Sequence, residues 1–545
     1  MKRRIRQACL FWHTIRHLKP VQISGRLRFH LYRPKPDLRA APLQRKNGVW
    51  TAPARRRPSQ TGPDSFCFLN RNGDLSAGWD NPDLDKLWCY NLHYFDDLNA
   101  EGAQARVQWH LALIDRWMKE NPPASGSGWE PYPTSLRIVN WVKWALAGNV
   151  FSEGAVQSLA VQARWLMRRL EYHLLGNHLF ANAKALVFAG CFFAGEEAEN
   201  WLSTGLNILA HEVPEQILAD GGHFELSTLY HALALEDMLD LVNVMRSADL
   251  SVPVLWENKI SDMRHWLAAM CHPDGEISFF NDAAIGIAPS PEELEHYAVR
   301  LDFPAHAGIF DACTWLKDSG YVRLQNDRAV LLIDVARIGP DYLPGHAHAD
   351  TLSFELSLDG QRIIVNSGTS VYGTGPERQR QRGTTAHNTV VVADENSSEV
   401  WSGFRVARRA RPRDLSIERE NDSYIVACAH DGYRRLEGGP LHRRHWAFGE
   451  KEFVVSDFVS GVGHRARAAF HFHPHCRLTL AQDGQSGFVF AGQDKVLHWQ
   501  LRTGTAHLEN ASWHPEFGCC EPTQRLVVTL VEGRSIIVFG WVSDR

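Results

Sequence analysis

No apolar run in the 545 residues approaches the ~20 positions that a membrane-spanning helix needs. There is no surplus of charge either: 58 Lys and Arg against 62 Asp and Glu leave a net −4, and nothing global marks a nucleic-acid binder. The 10 cysteines are scattered, no CxxC zinc spacing occurs, and the one close pair, Cys519 and Cys520, are chain neighbours that seldom bridge each other. Free, mostly buried thiols in a reducing compartment are the expectation. A Gly-rich phosphate loop and a GxSxG nucleophile elbow are both missing. The charged start Met1-Lys-Arg-Arg-Ile-Arg leads into a segment that His13 and Arg16 interrupt, with no small-residue cleavage site after it. With no standard secretion signal, the expectation is a cytoplasmic protein or one exported by a non-standard route, the periplasm included. Ile5, Leu10, Phe11, Ile15 and Leu18 instead fit a short amphipathic helix, expected to dock on its own domain and otherwise suited to a membrane surface.

What is abundant is Trp (19) and His (27). Large aromatic cores account for most Trp residues, and the remainder are candidates for stacking on sugar rings. The chain is long enough for two or more cores. Residues 1–75 are basic and Pro-rich and read as an extension. From 76 to 315 the apolar period is helical, as in Leu159, Ala163, Leu166 and Leu170 or Leu229, Leu233, Met238 and Leu239, with breaks at Pro122-Pro123, Gly176, Gly221-Gly222 and Pro273. Successive amphipathic helices with short connections predict helical hairpins packed side by side. From 316 to 545 the period is two. Leu352, Phe354, Leu356 and Leu358 alternate with polar residues, and Asp359-Gly360 supplies a hairpin turn before Ile363-Ile364-Val365. Helices followed by strands predict separate α and β domains, an α+β multidomain chain and not a Rossmann-type sheet.

Four segments carry candidate chemistry. Gly176-Asn177-His178 separates two apolar stripes, placing Asn177 and His178 at a helix start where free N–H groups favour a carboxylate; Asn177 reads equally as a simple N-cap. Gly221-Gly222-His223-Phe224-Glu225 leads through a polar helix start to Tyr230 and His231, although a helical Tyr is usually core. In Gly345-His346-Ala347-His348, an extended chain puts both His on one side, as for metal binding or catalysis. Arg378, Arg380 and Arg382, at alternate positions after a Gly-rich loop, suit an anionic ligand or a solvated surface; for the basic run Phe404–Arg413 the solvated reading is favoured.

Together with Leu92-His93-Tyr94-Phe95-Asp96 and Trp129-Glu130-Pro131-Tyr132-Pro133-Thr134-Ser135-Leu136-Arg137, these segments resemble the heparinase II/III-like polysaccharide lyases in order and spacing. The resemblance implies an N-terminal (α/α) toroid and a C-terminal antiparallel β-sandwich, cleaving a uronate-containing acidic polysaccharide by β-elimination. It implies that Asn177 and His178 neutralise the uronate carboxylate, that Tyr230 is the general acid/base, and that His346 works from the opposite side of the sugar. It implies zinc in the β domain on His348 and His387, with Asn366 where an Asp is usual, a poorer ligand. Tyr132, Arg137, Glu225, His231 and Arg382 are the expected substrate-binding residues, packing being the competing role for Tyr132 and Arg137.

Elimination needs these groups because C5–H is a weak acid beside an ionised carboxylate. Donors on that carboxylate spread the growing charge, a base removes the proton, and an acid protonates O4. Three rivals share features of the sequence: a uronate C5-epimerase on the same scaffold, a toroid glycoside hydrolase using Glu225 and Asp220, and a non-catalytic exopolysaccharide-binding protein.

Overall fold

The computed structural model describes residues 2–461 and 463–542; Met1 of the basic start and residues 543–545 of the expected β domain lie outside the described residues. The chain opens with α1 (Lys2–Ile15) and α2 (Pro20–Leu31), then runs extended to a small antiparallel sheet of Gln60–Gly62, Ser65–Phe68 and Arg71–Asp74. The expected extension therefore contains regular structure and is strapped to the protein. Arg164 donates to the carbonyls of Arg39 and Ala40, and the Asn243 amide bonds both N–H and C=O of Thr51.

Nine helices follow among the described residues: α3 (Lys86–Tyr94), α4 (Val107–Glu120), α5 (Pro131–Leu146), α6 (Glu153–Arg168), α7 (Gly176–Phe192), α8 (Glu196–Gln216), α9 (Thr228–Ser247), α10 (Val254–Ala269) and α11 (Pro291–Arg300). Serines start three of them: Ser152, Ser227 and Ser290 accept from the N–H of Ala155, Tyr230 and Glu293, satisfying donors that a helix start leaves free. Helix α7 is buried on nearly every face, as a helix central to a toroid must be. Trp88, Trp117, Trp141, Trp144, Trp201 and Trp266 are fully buried, so the ordinary core reading of Trp holds for much of the toroid.

The β region begins at Cys313. Five strands run as a meander in chain order from Cys313–Leu316 to Gln361–Ile364, and an antiparallel eight-stranded sheet takes the last strand, Arg534–Trp541, between Glu452–Val459 and Asp494–Thr503. Val322, Leu331 and Leu356 of the first sheet pack with Trp446, Phe453 and Phe539 of the second, forming the β-sandwich core. Strand Phe354–Leu358 differs from the half-exposed strand its alternation suggests, for it is buried on both faces. Its polar side meets the toroid: His272 lies between Ser357 Oγ (2.7 Å) and Glu355 Oε2 (2.8 Å). Leu352 stands before the strand in a left-handed conformation, and Asp359 and Gly360, both at positive φ, form the hairpin turn.

Candidate active site

The first wall of the site is built where α6 gives way to α7. Leu175 and Gly176 both take positive φ, +64° and +52°, so the chain doubles back sharply. A methyl group on Gly176 would sit 2.2 Å from Leu343 Cδ2 and 3.1 Å from Glu225 Oε1, so this turn needs glycine. Asn177 lies inside the first turn and is not its cap; its amide donates to the Tyr132 hydroxyl at 3.2 Å. His178 packs on the Tyr132 ring and reaches Glu171 Oε1 through Nδ1 at 3.2 Å. Asn182 fixes Glu171 by bonding both its backbone N–H and its carboxylate. Burial works against a charge on His178, but Glu171, with Glu225 behind it, outweighs this and raises the pKa above 6.5. The first turn of α7 thus presents an amide and an imidazole whose protonation Glu171 favours.

The second wall joins the toroid to the β domain. Leu226 at φ +58° turns the chain from Glu225 into the Ser227 cap, placing Tyr230 in the first turn of α9. The Tyr230 ring lies on the His346 imidazole, centroids 3.7 Å apart, and its hydroxyl meets that of Tyr372 at 2.9 Å. Burial pushes both phenols well above 10, so each stays protonated and able to donate. His346 Nδ1 bonds Asp282 Oδ2 at 2.9 Å, and His348 Nε2 bonds Oδ1 at 2.8 Å. Buried Arg378 spans both oxygens of the same carboxylate. Burial opposes ionisation of Asp282, yet Arg378 and the two imidazoles hold it well below the usual carboxylate range. An ionised Asp282 accepts a hydrogen bond from His346 Nδ1–H, so in the neutral ring Nε2 is the nitrogen that carries the free lone pair. That Nε2 stands 3.6 Å from Glu225 Oε2, a buried oxygen with no hydrogen-bond partner among the described residues. Burial raises the Glu225 pKa against the opposing pull of His346 and His178. Leu175, Leu226 and Asn281, which directly precedes Asp282, are all non-glycine residues at positive φ, a costly conformation found three times around these groups.

Tyr132 and Asn177 also line a cavity of about 710 Å³ running into the toroid past Lys143, Lys184, Glu236 and Asp237 to Arg56, Arg57 and Phe517. Its inner cations are already matched. Lys184 bonds Asp237 and Asp240, Lys143 bonds Asp240, Arg56 bonds Glu236, and Arg57 bonds Glu516. Arg55, exposed at the rim, is the one lining cation without a carboxylate partner among the described residues.

The structure thus brings Asn177, His178, Tyr132, Glu225, Tyr230 and His346 to one place. Three expected substrate contacts lie elsewhere. Arg137 is a toroid core residue, fully buried, bonded to Gln162 and the His93 carbonyl and stacked on Trp117. His231 follows Tyr230, but one residue turns a helix by about 100°, so it points inward to the Met263 carbonyl and the Trp266 ring. Arg382 is spent on backbone, donating to the carbonyls of Ala347 and Gly403, which secures the chain between His346 and His348. The Tyr230 and His346 rings are in contact, which leaves no gap between them for a sugar ring in this conformation.

The expected zinc ligands do not complete a shell. His348 Nδ1 and His387 Nε2 face each other at 3.2 Å, but Asn366 Oδ1 addresses the other ring nitrogen of His387, also at 3.2 Å. Three donors must converge on one point about 2.0–2.2 Å away, and no group of three His, Cys, Asp or Glu among the described residues does so.

Sequence reasoning missed Asp282, Glu171 and Tyr372. Asp282 lies in a non-periodic loop and meets partners 64 to 96 residues away, so no local pattern marks it. Arg378, Arg380 and Arg382 were legible as a group, but they form a short helix, Pro376–Arg382, in which the first and last turn inward and Arg380 outward.

Comparison with known proteins agrees with this architecture. The Heparinase II/III N-terminus model matches residues 102–300, and the Heparinase II/III-like, C-terminal model matches 312–542. The chain belongs to the heparinase II/III-like family. Among relatives, a heparin-sulfate lyase of Bacteroides stercoris is 28% identical over 316 residues, covering 53% of this chain and 44% of its own length. FtsZ-localized protein C of Caulobacter vibrioides is 24% identical over 565 aligned positions, covering 95% of this chain and 93% of its own. A crystal structure of heparinase III superposes with a TM-score of 0.68 at 20% identity, covering 83% of this chain and 77% of that one, and shows the toroid and β-sandwich to be the family fold.

Proposed function

We propose that this family member is a polysaccharide lyase that eliminates across C4–C5 of a uronate. The observation that supports it most is the contact of the Tyr230 and His346 rings beside the helix start that carries Asn177 and His178. In this reading Asn177 and protonated His178 hold the uronate carboxylate, and His346 Nε2 removes the C5 proton. Tyr230, kept as a phenol, protonates O4 as the bond to the leaving sugar breaks. The electron pair from C5–H becomes the C4–C5 double bond.

Because the base and acid rings are in contact, the favoured substrate has C5–H and C4–O on the same face, as in 4-linked D-glucuronate or D-mannuronate. A C5-epimerase would need a proton donor on the opposite face. A hydrolase would need Asp220 opposite Glu225, whereas Asp220 is engaged by Ser319 and the Gly222 N–H. The relative matched over almost the whole chain is named for a location and not for a reaction, so the reaction itself is the measurement to make. Incubation with glucuronate polymers should generate an unsaturated, ultraviolet-absorbing end, and iduronate or guluronate polymers should not; absence of that chromophore from every uronate polymer refutes the lyase.

The matched charges in the cavity set a further preference. A sulfate entering it meets carboxylates and no unpaired inner cation, so an unsulfated glucuronate polymer should surpass its heavily sulfated counterpart in kcat/KM by at least about tenfold.

The pH profile follows from His178. Its protonated form holds the substrate carboxylate, so activity is present below its raised pKa and falls as pH rises through it. Glu171→Gln removes the main raising partner while keeping a similar shape. The alkaline limb of kcat/KM should then begin at lower pH, with the acid-side rate little changed; an unmoved limb argues against this role.

A further inference from the structure

Half of the exposed large apolar side chains among the described residues fall within positions 5–49. The same stretch carries a strong excess of positive charge. The first 57 residues contain sixteen Lys and Arg and a single acidic residue, Asp37; with −4 for the whole chain, the remainder carries −19. We propose that α1 and α2 form a docking face for a bilayer containing anionic phospholipid.

Each helix has one side fixed to the protein and one side turned out. In α2, Gln22 is buried and bonds the Tyr342 carbonyl. Gly25 lies so close to the backbone of His173 that a methyl group would meet it at 3.0 Å, and Phe29 stacks on His173 beneath the Arg169 guanidinium. The opposite side is Ile23, Leu27 and Leu31, at four-residue spacing, with Leu27 60% and Leu31 79% exposed. Exposed Arg26 and Arg28 stand beside it with no carboxylate partner among the described residues. Helix α1 repeats the plan. Thr14 donates to the Val406 carbonyl and accepts from the Trp401 indole, anchoring one side. Ile5 and Trp12, seven residues apart on one face, project outward with Phe11 nearby, and Trp12 is 61% exposed. Exposed Arg4 and Arg16 accompany them.

Single exposed apolar residues need no explanation, but two apolar stripes bordered by arginines without carboxylate partners among the described residues do. A second copy of the chain would set this strongly positive face against itself. Nucleic acid would use the arginines and leave the Ile, Leu and Trp stripe in water. A lipid surface satisfies both, with arginines at the phosphates and the stripes at the acyl boundary. At 14 and 12 residues the helices are too short to span the bilayer, so they would lie along it.

Co-sedimentation of the full chain with vesicles tests this. Vesicles of equal parts phosphatidylcholine and phosphatidylglycerol should carry the protein down, and phosphatidylcholine alone should bind at least tenfold less. Leu27→Asp with Trp12→Asp should reduce the bound fraction at least tenfold. Arg26→Glu with Arg28→Glu should do the same without touching an apolar residue, which covers the case in which the first pair disturbs folding. Failure of the unaltered chain to sediment with the anionic vesicles overturns the proposal. So does binding that neither pair of substitutions reduces, and so does self-association without lipid that Leu27→Asp abolishes.

Discussion

Tyr230→Phe is expected to lower kcat/KM on a glucuronate polymer by about 10²–10⁴-fold, the usual contribution of a positioned general acid. The change removes one oxygen. Its only hydrogen-bond partner among the described residues is the Tyr372 hydroxyl, so folding should lose no more than about 1 kcal/mol. The ring stays on His346, which keeps the cleft in shape. Thermal unfolding matching the parent, together with the lost rate, would place the defect in proton transfer. A Phe variant that keeps most of its rate would remove Tyr230 from the reaction, and Glu225, with its raised pKa and unpartnered oxygen, would be the next acid to examine.

Asp282→Asn is expected to damage both rate and stability. The carboxylate accepts from Arg378, His346 and His348 in a fully buried setting. An amide leaves the guanidinium uncompensated, at a cost of about 3–5 kcal/mol. It can also donate to His346 Nδ1, moving the imidazole proton to Nε2 where the base is needed, and kcat should fall roughly 100-fold or more. Combining Asp282→Asn with Arg378→Gln should restore part of the lost stability and none of the rate, because the two substitutions share one network. The sign of the pH effect is fixed by the depressed Asp282 pKa. Its stabilisation is complete above the unfolded value near 4 and is lost only as pH falls below that. The double variant lacks this group, so its stability should fall less steeply than the parent's as pH drops below about 4.

The toroid was legible because its helices carry long apolar stripes and its breaks are Gly and Pro. The meander was legible because Asp359-Gly360 and the alternation around Phe354 are local signals. Asn177, His178, Tyr230 and His346 could be named for the same reason, since each sits in a short motif with a turn beside it. What could not be read is pairing over distance. The charge on His178 depends on Glu171, which no motif marks, and the tautomer of His346 depends on an aspartate in a loop without periodicity. Arg137 and His231 were misplaced because a motif fixes position along the chain but not the face of the helix. The contact of Tyr230 and His346 follows from how the sheet domain docks, which local sequence does not encode.

The hydroxyl contact between Tyr230 and Tyr372 joins residues 142 positions apart, one from the helices and one from the sheet half. Either half severed from its neighbour would retain an apolar interior and still be unfinished chemically. Exchanging sheet halves between relatives would exchange half of the proton-handling apparatus with them. A hinge opening at this seam would part the two hydroxyls by geometry alone, leaving every side chain intact.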